Sequence, residues 1–126
     1  MRRTLVGASL RDEERVLLEQ YLRELGLRLG EGLRGAWLFG SRARGEEPGE
    51  DSDVDMVVFV DDASWDGRMG VRQVLDEVAH RLGMDDLAWR FSVHVHTLDW
   101  LARRREVRSF FVAELERDKV ALYGSV

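Results

Sequence analysis

A glycine and a serine at the end of a short apolar run could together bind an anion. Gly40 and Ser41 directly follow Phe39, and Arg42 and Arg44 come just after them. Gly40 permits close approach to the backbone, Ser41 adds a hydroxyl, and a helix that begins here would direct free backbone N–H groups at phosphate oxygens. We therefore predict that this turn binds phosphate. Taken singly, Ser41 also fits a helix cap, and the two arginines fit a solvated surface.

Two aspartates spaced two residues apart could bind a divalent metal ion. Asp53 and Asp55 begin an apolar strand, where residues two apart share a face of the sheet and Val54 between them enters the core. Two neighbouring carboxylates repel each other unless a cation intervenes. Magnesium binds carboxylates together with substrate phosphates, so we predict that both aspartates hold Mg²⁺ or Mn²⁺ beside the turn. The alternative is a strand entry that faces solvent.

The histidines and two further motif matches give weaker indications. His94 and His96 share the polar face of a strand and could bind zinc together, but no third ligand follows at an obvious spacing. His80 projects opposite the apolar stripe of its helix, which predicts a solvated side chain. Residues 30–35 match GxGxxG, but they follow a helix and precede a strand, the reverse of the dinucleotide-binding order. Residues 51–55 begin like a calcium-binding loop, but Met56 occupies the position that requires glycine.

Apolar periodicity predicts the helices that would position these residues. Helical spacing predicts a first helix from about Leu10 to Leu29, with Ser9 and Asp12 resembling a capping box. A second long helix is expected to end at Gly83, and Thr97 is expected to cap a helix whose spacing continues to Leu115. The apolar face of the second helix is formed by Val71, Val74, Leu75, Val78 and Leu82.

Alternating or continuous apolar runs predict the strands. They lie at Ala36–Phe39, at Met56–Val60 with an extension back through Asp53, at Phe91–His96 and at Val120–Tyr123. The alternation of helices with short strands predicts an α/β or α+β two-layer domain. With 126 residues and no linker, residues 1–126 are expected to form one domain.

Composition and charge exclude several classes of protein. The chain has no cysteine, so disulfides and thiolate metal sites are excluded. No export signal or membrane span is visible, so a cytoplasmic location is expected. The net charge of −5 argues against broad nucleic-acid binding. Charge is also segregated, because eight acids and no base lie in residues 46–62, whereas a basic block follows later. That block consists of Arg103, Arg104, Arg105 and Arg108.

The two chemical segments together resemble a known signature. Gly40 to Gly45 read Gly-Ser-Arg-Ala-Arg-Gly, and Ser52 to Asp55 read Ser-Asp-Val-Asp. This combination is similar to the DNA polymerase β-like nucleotidyltransferase superfamily, and its spacing and short length to the minimal nucleotidyltransferase (MNT) branch. The likeness continues weakly through most of the chain to an ending at Glu114 to Gly124.

The resemblance implies a fold and an activity. The fold would be α+β with a short mixed sheet packed against helices, and the activity would be transfer of AMP from ATP to a hydroxyl, with Mg²⁺ as cofactor. Asp53 and Asp55 would be the catalytic metal ligands, and Gly40 and Ser41 would hold the β and γ phosphates. Arg44 would bind a phosphate or a local carboxylate, and Arg42 would also contact the nucleotide.

One position departs from the family pattern. The family commonly carries a third carboxylate on the next core strand, where this chain has His94. Histidine can bind metal or accept a proton, but it lacks the negative charge that supports a second magnesium ion. We therefore predict that His94 faces the same cleft as Asp53 and Asp55 and stands in for the acid. The alternative is an exposed strand residue.

Three functions compete on these observations. The first is an enzyme that adenylylates a hydroxyl on a partner protein, since many minimal members of the family act as antitoxins to HEPN ribonuclease toxins. The second is a catalytically weakened module that binds nucleotide or toxin without turnover, which the histidine favours. The third is nucleic-acid binding through the basic block, although an arginine run on a helix is more typical of a solvated face.

Overall fold

The computed structural model describes residues 3–49 and 52–126. Glu50 and Asp51, which belong to the acidic segment and to the calcium-like motif, lie outside the described residues, as do Met1 and Arg2. The helices are α1 (Asp12–Leu29), α2 (Gly40–Ala43), α3 (Trp65–Arg81), α4 (Asp85–Ala88), α5 (Leu98–Glu106) and α6 (Phe110–Asp118). The strands are β1 (Leu33–Phe39), β2 (Val54–Val60), β3 (Phe91–His96) and β4 (Val120–Tyr123).

The four strands form one mixed sheet in the order β3-β2-β1-β4. Strand β1 is antiparallel to both β2 and β4, whereas β2 and β3 run parallel. In this register Phe39 pairs with Asp55, and Val57 pairs with His94. The expected α+β class, with a short mixed sheet packed against helices, is confirmed.

Helix α1 begins and ends close to the residues expected. Its capping interaction differs from the predicted one, because the backbone N–H of Arg11 donates to Glu14 Oε1 at 2.8 Å. Ser9 instead directs its hydroxyl at the carbonyl oxygens of Arg42 and Glu46. The helix ends at Leu29, and Gly30 follows it with a φ of 52°, which suits glycine. The predicted start lies within two residues of the observed one.

Helices pack against both faces of the sheet. On one face, α1 and α3 cover the apolar side chains of alternate strand residues, including Met56 and Val58. On the other face, Trp37 and Phe59 meet edge to face with ring centroids 4.8 Å apart. Leu101 of α5 and residues of α6 pack on that second cluster. Coverage on both faces explains why β2 is a continuous apolar run rather than an alternating one.

The C-terminal helical segment is divided, contrary to the single helical spacing predicted from Leu98 to Leu115. Helix α5 ends at Glu106 and α6 begins at Phe110, with Arg108 between them at a φ of 52°. The left-handed conformation breaks the helix, and Val112 and Leu115 of α6 pack in the second cluster. The predicted cap of α5 is present, because Thr97 Oγ1 accepts a hydrogen bond from Trp100 N at 3.1 Å.

None of the helices in the described ranges combines the length and apolar composition needed to cross a bilayer.

Candidate functional site

The predicted phosphate turn lies directly against the second aspartate. Strand β1 ends at Phe39, and Gly40 turns the chain into α2 with a φ of 75°. A Cβ atom added at Gly40 would lie 2.7 Å from Asp55 Oδ2. Only glycine therefore fits both the backbone conformation and the available space. Ser41 follows at a half-buried position, and within residues 3–49 and 52–126 its hydroxyl has no hydrogen-bond partner.

The two aspartates lie where the strand pattern predicted them. Asp53 immediately precedes β2, Asp55 is its second residue, and the fully buried Val54 separates them. Burial raises the pKa of the Asp55 carboxyl, the charge of Asp53 raises it further, and the charges of His94 and Arg42 oppose this rise. Burial and the neighbouring acid therefore both disfavour the ionised form of Asp55. A cation bound here would favour the ionised form.

His94 shares the sheet face of Asp55. Its register partner Val57 lies two residues along β2 from Asp55, so all three side chains are on the same side of the sheet. The His94 ring centroid is 5.6 Å from that of Phe39 and 6.5 Å from that of Phe111. The predicted shared face agrees with this arrangement, whereas a role of His94 as ligand or base stays a prediction.

His96 has a different environment from His94. Its ring stacks on Trp100 with centroids 3.6 Å apart and planes 7° from parallel. Burial lowers the pKa of His96 to about 4, and the charges of Arg68, His94 and Arg104 also lower it. His96 is therefore neutral near pH 7 and held in an aromatic stack, which gives no support to the zinc site weighed from the sequence. His80 is exposed, as predicted, with Nδ1 3.1 Å from Asp85 Oδ1.

The donor set at the turn fits a magnesium-like ion better than a zinc-like one. Among residues 3–49 and 52–126 there is no cluster of three or more histidine, aspartate or glutamate side chains that could enclose a metal. A pair of carboxylates is sufficient for Mg²⁺, because this ion keeps water ligands and binds substrate phosphates. Because Gly40 has no Cβ, the backbone of the turn can approach the Asp55 carboxylate closely.

The Arg42 side chain, which was predicted to bind nucleotide, is turned into the protein interior. Its side chain is fully buried, and both terminal nitrogens bond to Glu14, at 2.6 Å to Oε1 and 3.1 Å to Oε2. The remaining donors reach Ser52 Oγ at 2.8 Å, the carbonyl oxygen of Ser52 at 3.0 Å and that of Ser9 at 3.1 Å. All five N–H groups of the guanidinium are thus occupied within the protein.

Glu14 is the buried counterion that sequence reasoning missed. Burial alone would raise the pKa of its carboxyl, but the hydrogen bonds from Arg42 and from the Arg11 backbone, with the arginine charges, lower it overall. Glu14 is therefore ionised opposite Arg42. In the sequence, Glu14 is only one of several acids that favour the start of a helix. No local signal distinguishes it, because its partner lies 28 residues away.

Arg44 takes the local carboxylate that was one of its two predicted partners. Its Nη1 atom donates to Asp118 Oδ2 at 2.7 Å, and it also pairs with Glu46. Burial opposes ionisation of Asp118, but the hydrogen bonds from Arg44 and Arg117 lower its pKa overall. The pair connects the end of the phosphate turn to the end of α6, so Asp118 is a second residue of this region that spacing did not reveal.

Fold and site together define a nucleotidyltransferase: a short mixed sheet with a glycine–serine turn beside two strand aspartates. The model of the family described as polymerase beta, nucleotidyltransferase matches residues 27–93. This match covers more than half of the chain, and the chain belongs to that family.

Solved structures show the same fold. A toxin–antitoxin with AMP-PNP has a TM-score of 0.51 and 20% identity, over 85% of this chain and 73% of that chain. A mutant of the toxin–antitoxin MntA–HpeT has a TM-score of 0.50 and 18% identity, again over 85% and 73%. At these identities the likeness is one of fold. No curated protein matches the chain.

Proposed function

We propose that this protein transfers AMP from ATP to a hydroxyl group on a partner protein. The observation that carries the proposal is the close approach of Gly40 to Asp55, which puts the glycine–serine turn beside the strand that carries both aspartates. A nucleoside triphosphate with its metal requires this combination of anion and cation sites in one place. The family membership supports nucleotidyl transfer as the class of reaction.

The residues divide the chemistry between them. Gly40 and Ser41 bind the β and γ phosphates through backbone N–H groups and the free hydroxyl, and Asp53 and Asp55 hold Mg²⁺ or Mn²⁺. When bound, the ion neutralises phosphate charge and orients the triphosphate. The acceptor oxygen forms a bond to the α phosphorus, the bond from this phosphorus to the bridging oxygen breaks, and pyrophosphate leaves. His94 is placed to accept the hydroxyl proton, as a neutral imidazole can.

An exposed apolar patch beside the site supports a protein as the acceptor. Val107, Phe110 and Phe111 are 70%, 78% and 45% exposed at the junction of α5 and α6. Phe111 also lies 6.5 Å from both Phe39 and His94, measured between ring centroids, so the patch is continuous with the site. Clustered exposed side chains of this size are typical of protein interaction surfaces. Toxin–antitoxin pairs among the fold neighbours, and the HEPN toxins that the family resemblance implies, favour a toxin as this partner.

A nucleotide-binding or toxin-binding module without turnover is the second candidate. His94 favours this candidate. At the position where the family commonly has a third acid, this chain has an imidazole, which carries no negative charge. Both candidates require binding of the nucleotide, and only the first requires a covalent product. The distinction is therefore a matter of chemistry at one site.

Labelling with ATP that carries ³²P at the α phosphorus separates the two candidates. The protein, Mg²⁺ and a co-expressed toxin partner are incubated together, and label on the partner is measured after denaturing electrophoresis. Transfer that is lost in the Asp53→Asn, Asp55→Asn double variant supports the enzyme. Tight binding of Mg²⁺ and ATP by calorimetry without transfer supports the module, and absence of binding contradicts both.

A further inference from the structure

A buried network joins the two halves of the site from behind. Arg42 lies in α2, two residues after Gly40, and Ser52 lies one residue before Asp53. The Arg42 side chain donates to Ser52 Oγ at 2.8 Å and to its carbonyl oxygen at 3.0 Å. The same guanidinium donates hydrogen bonds to both carboxylate oxygens of Glu14 in α1. One side chain therefore links the phosphate turn, the metal-binding strand and the first helix.

The geometry of the network leaves its groups few other hydrogen-bond partners. Arg42 and Glu14 are both fully buried, so each is the main counterion that the other can reach without water. A guanidinium fork bonds two acceptors at fixed angles, which a single ammonium group cannot reproduce. Both groups that Ser52 offers, its hydroxyl and its carbonyl, are used by this fork. The position of the chain at Ser52 is therefore set by Arg42.

The clearance at the site shows why this position matters. Gly40 approaches Asp55 so closely that even a methyl group would meet the carboxylate at 2.7 Å. A shift of the turn relative to the strand by a fraction of that distance would change both the anion site and the spacing of the two carboxylates. Metal and phosphate ligands tolerate such shifts poorly, because their bond lengths and angles are narrow.

Resting on the proposed function, we infer that Arg42, Glu14 and Ser52 are positioning residues of the nucleotidyltransferase site: they fix the phosphate turn relative to Asp53 and Asp55 without touching the ligand. Ser52 is thereby given a role that neither the metal nor the nucleotide supplies. Arg42 acts from the interior, which explains why its position next to Ser41 does not place it on the phosphate. Glu14 acts through Arg42.

Substitutions at Ser52 test this inference with the least risk to folding, because the side chain is half-buried and Arg42 keeps its carbonyl contact. Ser52→Ala should weaken binding of Mg²⁺ and ATP about tenfold, the lower end of the range for residues that orient metal ligands. Ser52→Thr retains a hydroxyl and should restore binding. Ser109→Ala is the matched control, because this half-buried serine, at the start of α6, makes no capping hydrogen bond.

Arg42→Lys tests the fork itself, because it keeps the charge opposite Glu14 and loses the second arm. We expect weaker binding of Mg²⁺ and ATP than in Ser52→Ala, in protein whose circular dichroism remains that of the wild type. Equal affinity of Ser52→Ala and wild type, or a Ser52→Thr variant as weak as Ser52→Ala, would overturn the inference. An unfolded Arg42→Lys variant leaves the decision to the two serine variants.

Amide hydrogen exchange in the ligand-free protein separates failure of this inference from failure of the proposed function. In Ser52→Ala, exchange should accelerate at residues 40–44 and 53–55 and stay unchanged in α3. If the wild type binds no Mg²⁺ and ATP, the proposed function fails, while this local acceleration would still support the positioning role. Unchanged exchange at both segments contradicts the positioning role whatever the ligand result.

Discussion

The two faces of the sheet differ in what their side chains do. Beneath α1 and α3 the face is apolar and closed, with residues such as Leu25 and Leu75 fully buried. Beneath α5 and α6 the apolar cluster is smaller, and Asp55 and His94 lie on the same face at the site. We therefore expect stability to be concentrated on the first face and ligand binding on the second.

Removing both carboxylates should have the largest effect on ligand binding, and this effect should be confined to the second face. The Asp53→Asn, Asp55→Asn double variant is expected to lose metal-dependent ATP binding, because no negative oxygen remains for the ion. Stability near pH 7 should stay level or rise, since a raised pKa at Asp55 means that ionisation of this carboxyl opposes folding as pH increases. Calorimetric titration and thermal unfolding measure the two quantities. Retained affinity for Mg²⁺ and ATP would show that the metal site lies elsewhere.

Truncation in α1 should produce the opposite pattern. Leu25→Ala removes a fully buried side chain and should lower the free energy of unfolding by about 2 to 5 kcal/mol. Leu27→Ala, at a position 73% exposed on the same helix, is the matched control and should change it by less than about 0.5 kcal/mol. ATP affinity of the folded fraction should be unchanged in both. A Leu25→Ala variant with normal stability and weakened binding would break the division between the faces.

A methyl group at Gly40 should affect both properties by moderate amounts. Gly40→Ala forces alanine to a φ of 75° and places Cβ 2.7 Å from Asp55 Oδ2. Gly83→Ala shares the conformational strain, with a φ of 69°, but its Cβ would meet nothing within 4 Å. Each should lose about 1 to 2 kcal/mol of stability from the left-handed backbone. Only Gly40→Ala should also weaken ATP binding, and equal affinities in the two variants would remove the turn from the site.

Restoring an acid at His94 should have the smallest effect, and in the favourable direction. His94→Asp adds a carboxylate on the sheet face of Asp55, so affinity for divalent metal should increase several-fold, on the order of 1 kcal/mol. Titration with Mn²⁺ followed by electron paramagnetic resonance measures this affinity directly. His94→Asn, which removes the ring without adding a charge, is the control. Unaltered Mn²⁺ affinity in His94→Asp would favour the interpretation of His94 as a strand residue without a metal role.

The sequence predicted the elements and the local parts of the site well because both depend on neighbouring residues. The apolar spacing in α1 and the run in β2 each report their own environment, and the alternation around Asp53 and Asp55 follows from strand geometry. Residues two apart on β3 likewise placed His94 on the polar phase of its strand. These inferences needed no knowledge of distant contacts.

The parts that could not be predicted depend on contacts between distant segments. Arg42 lies beside Ser41 in sequence, and only its contact with Glu14, 28 residues away, sends it into the interior. Asp118 meets Arg44 across 74 residues. The break at Arg108 was not predicted for another reason. The helical spacing of apolar residues continues across it, whereas the helical backbone conformation stops there.

The contact of Arg44 with Asp118 has a consequence for synthesis of the protein on the ribosome. Residues of the turn and of the aspartate strand emerge well before α6, and Asp118 cannot reach Arg44 until the chain has been made beyond it. The pair of Arg44 with Asp118 therefore forms only after α1 and α3 are available to pack on the other face. A nascent chain stopped before residue 110 would have the Gly40 turn without the Asp118 contact of Arg44 and without the aromatic side chains of α6 beside it.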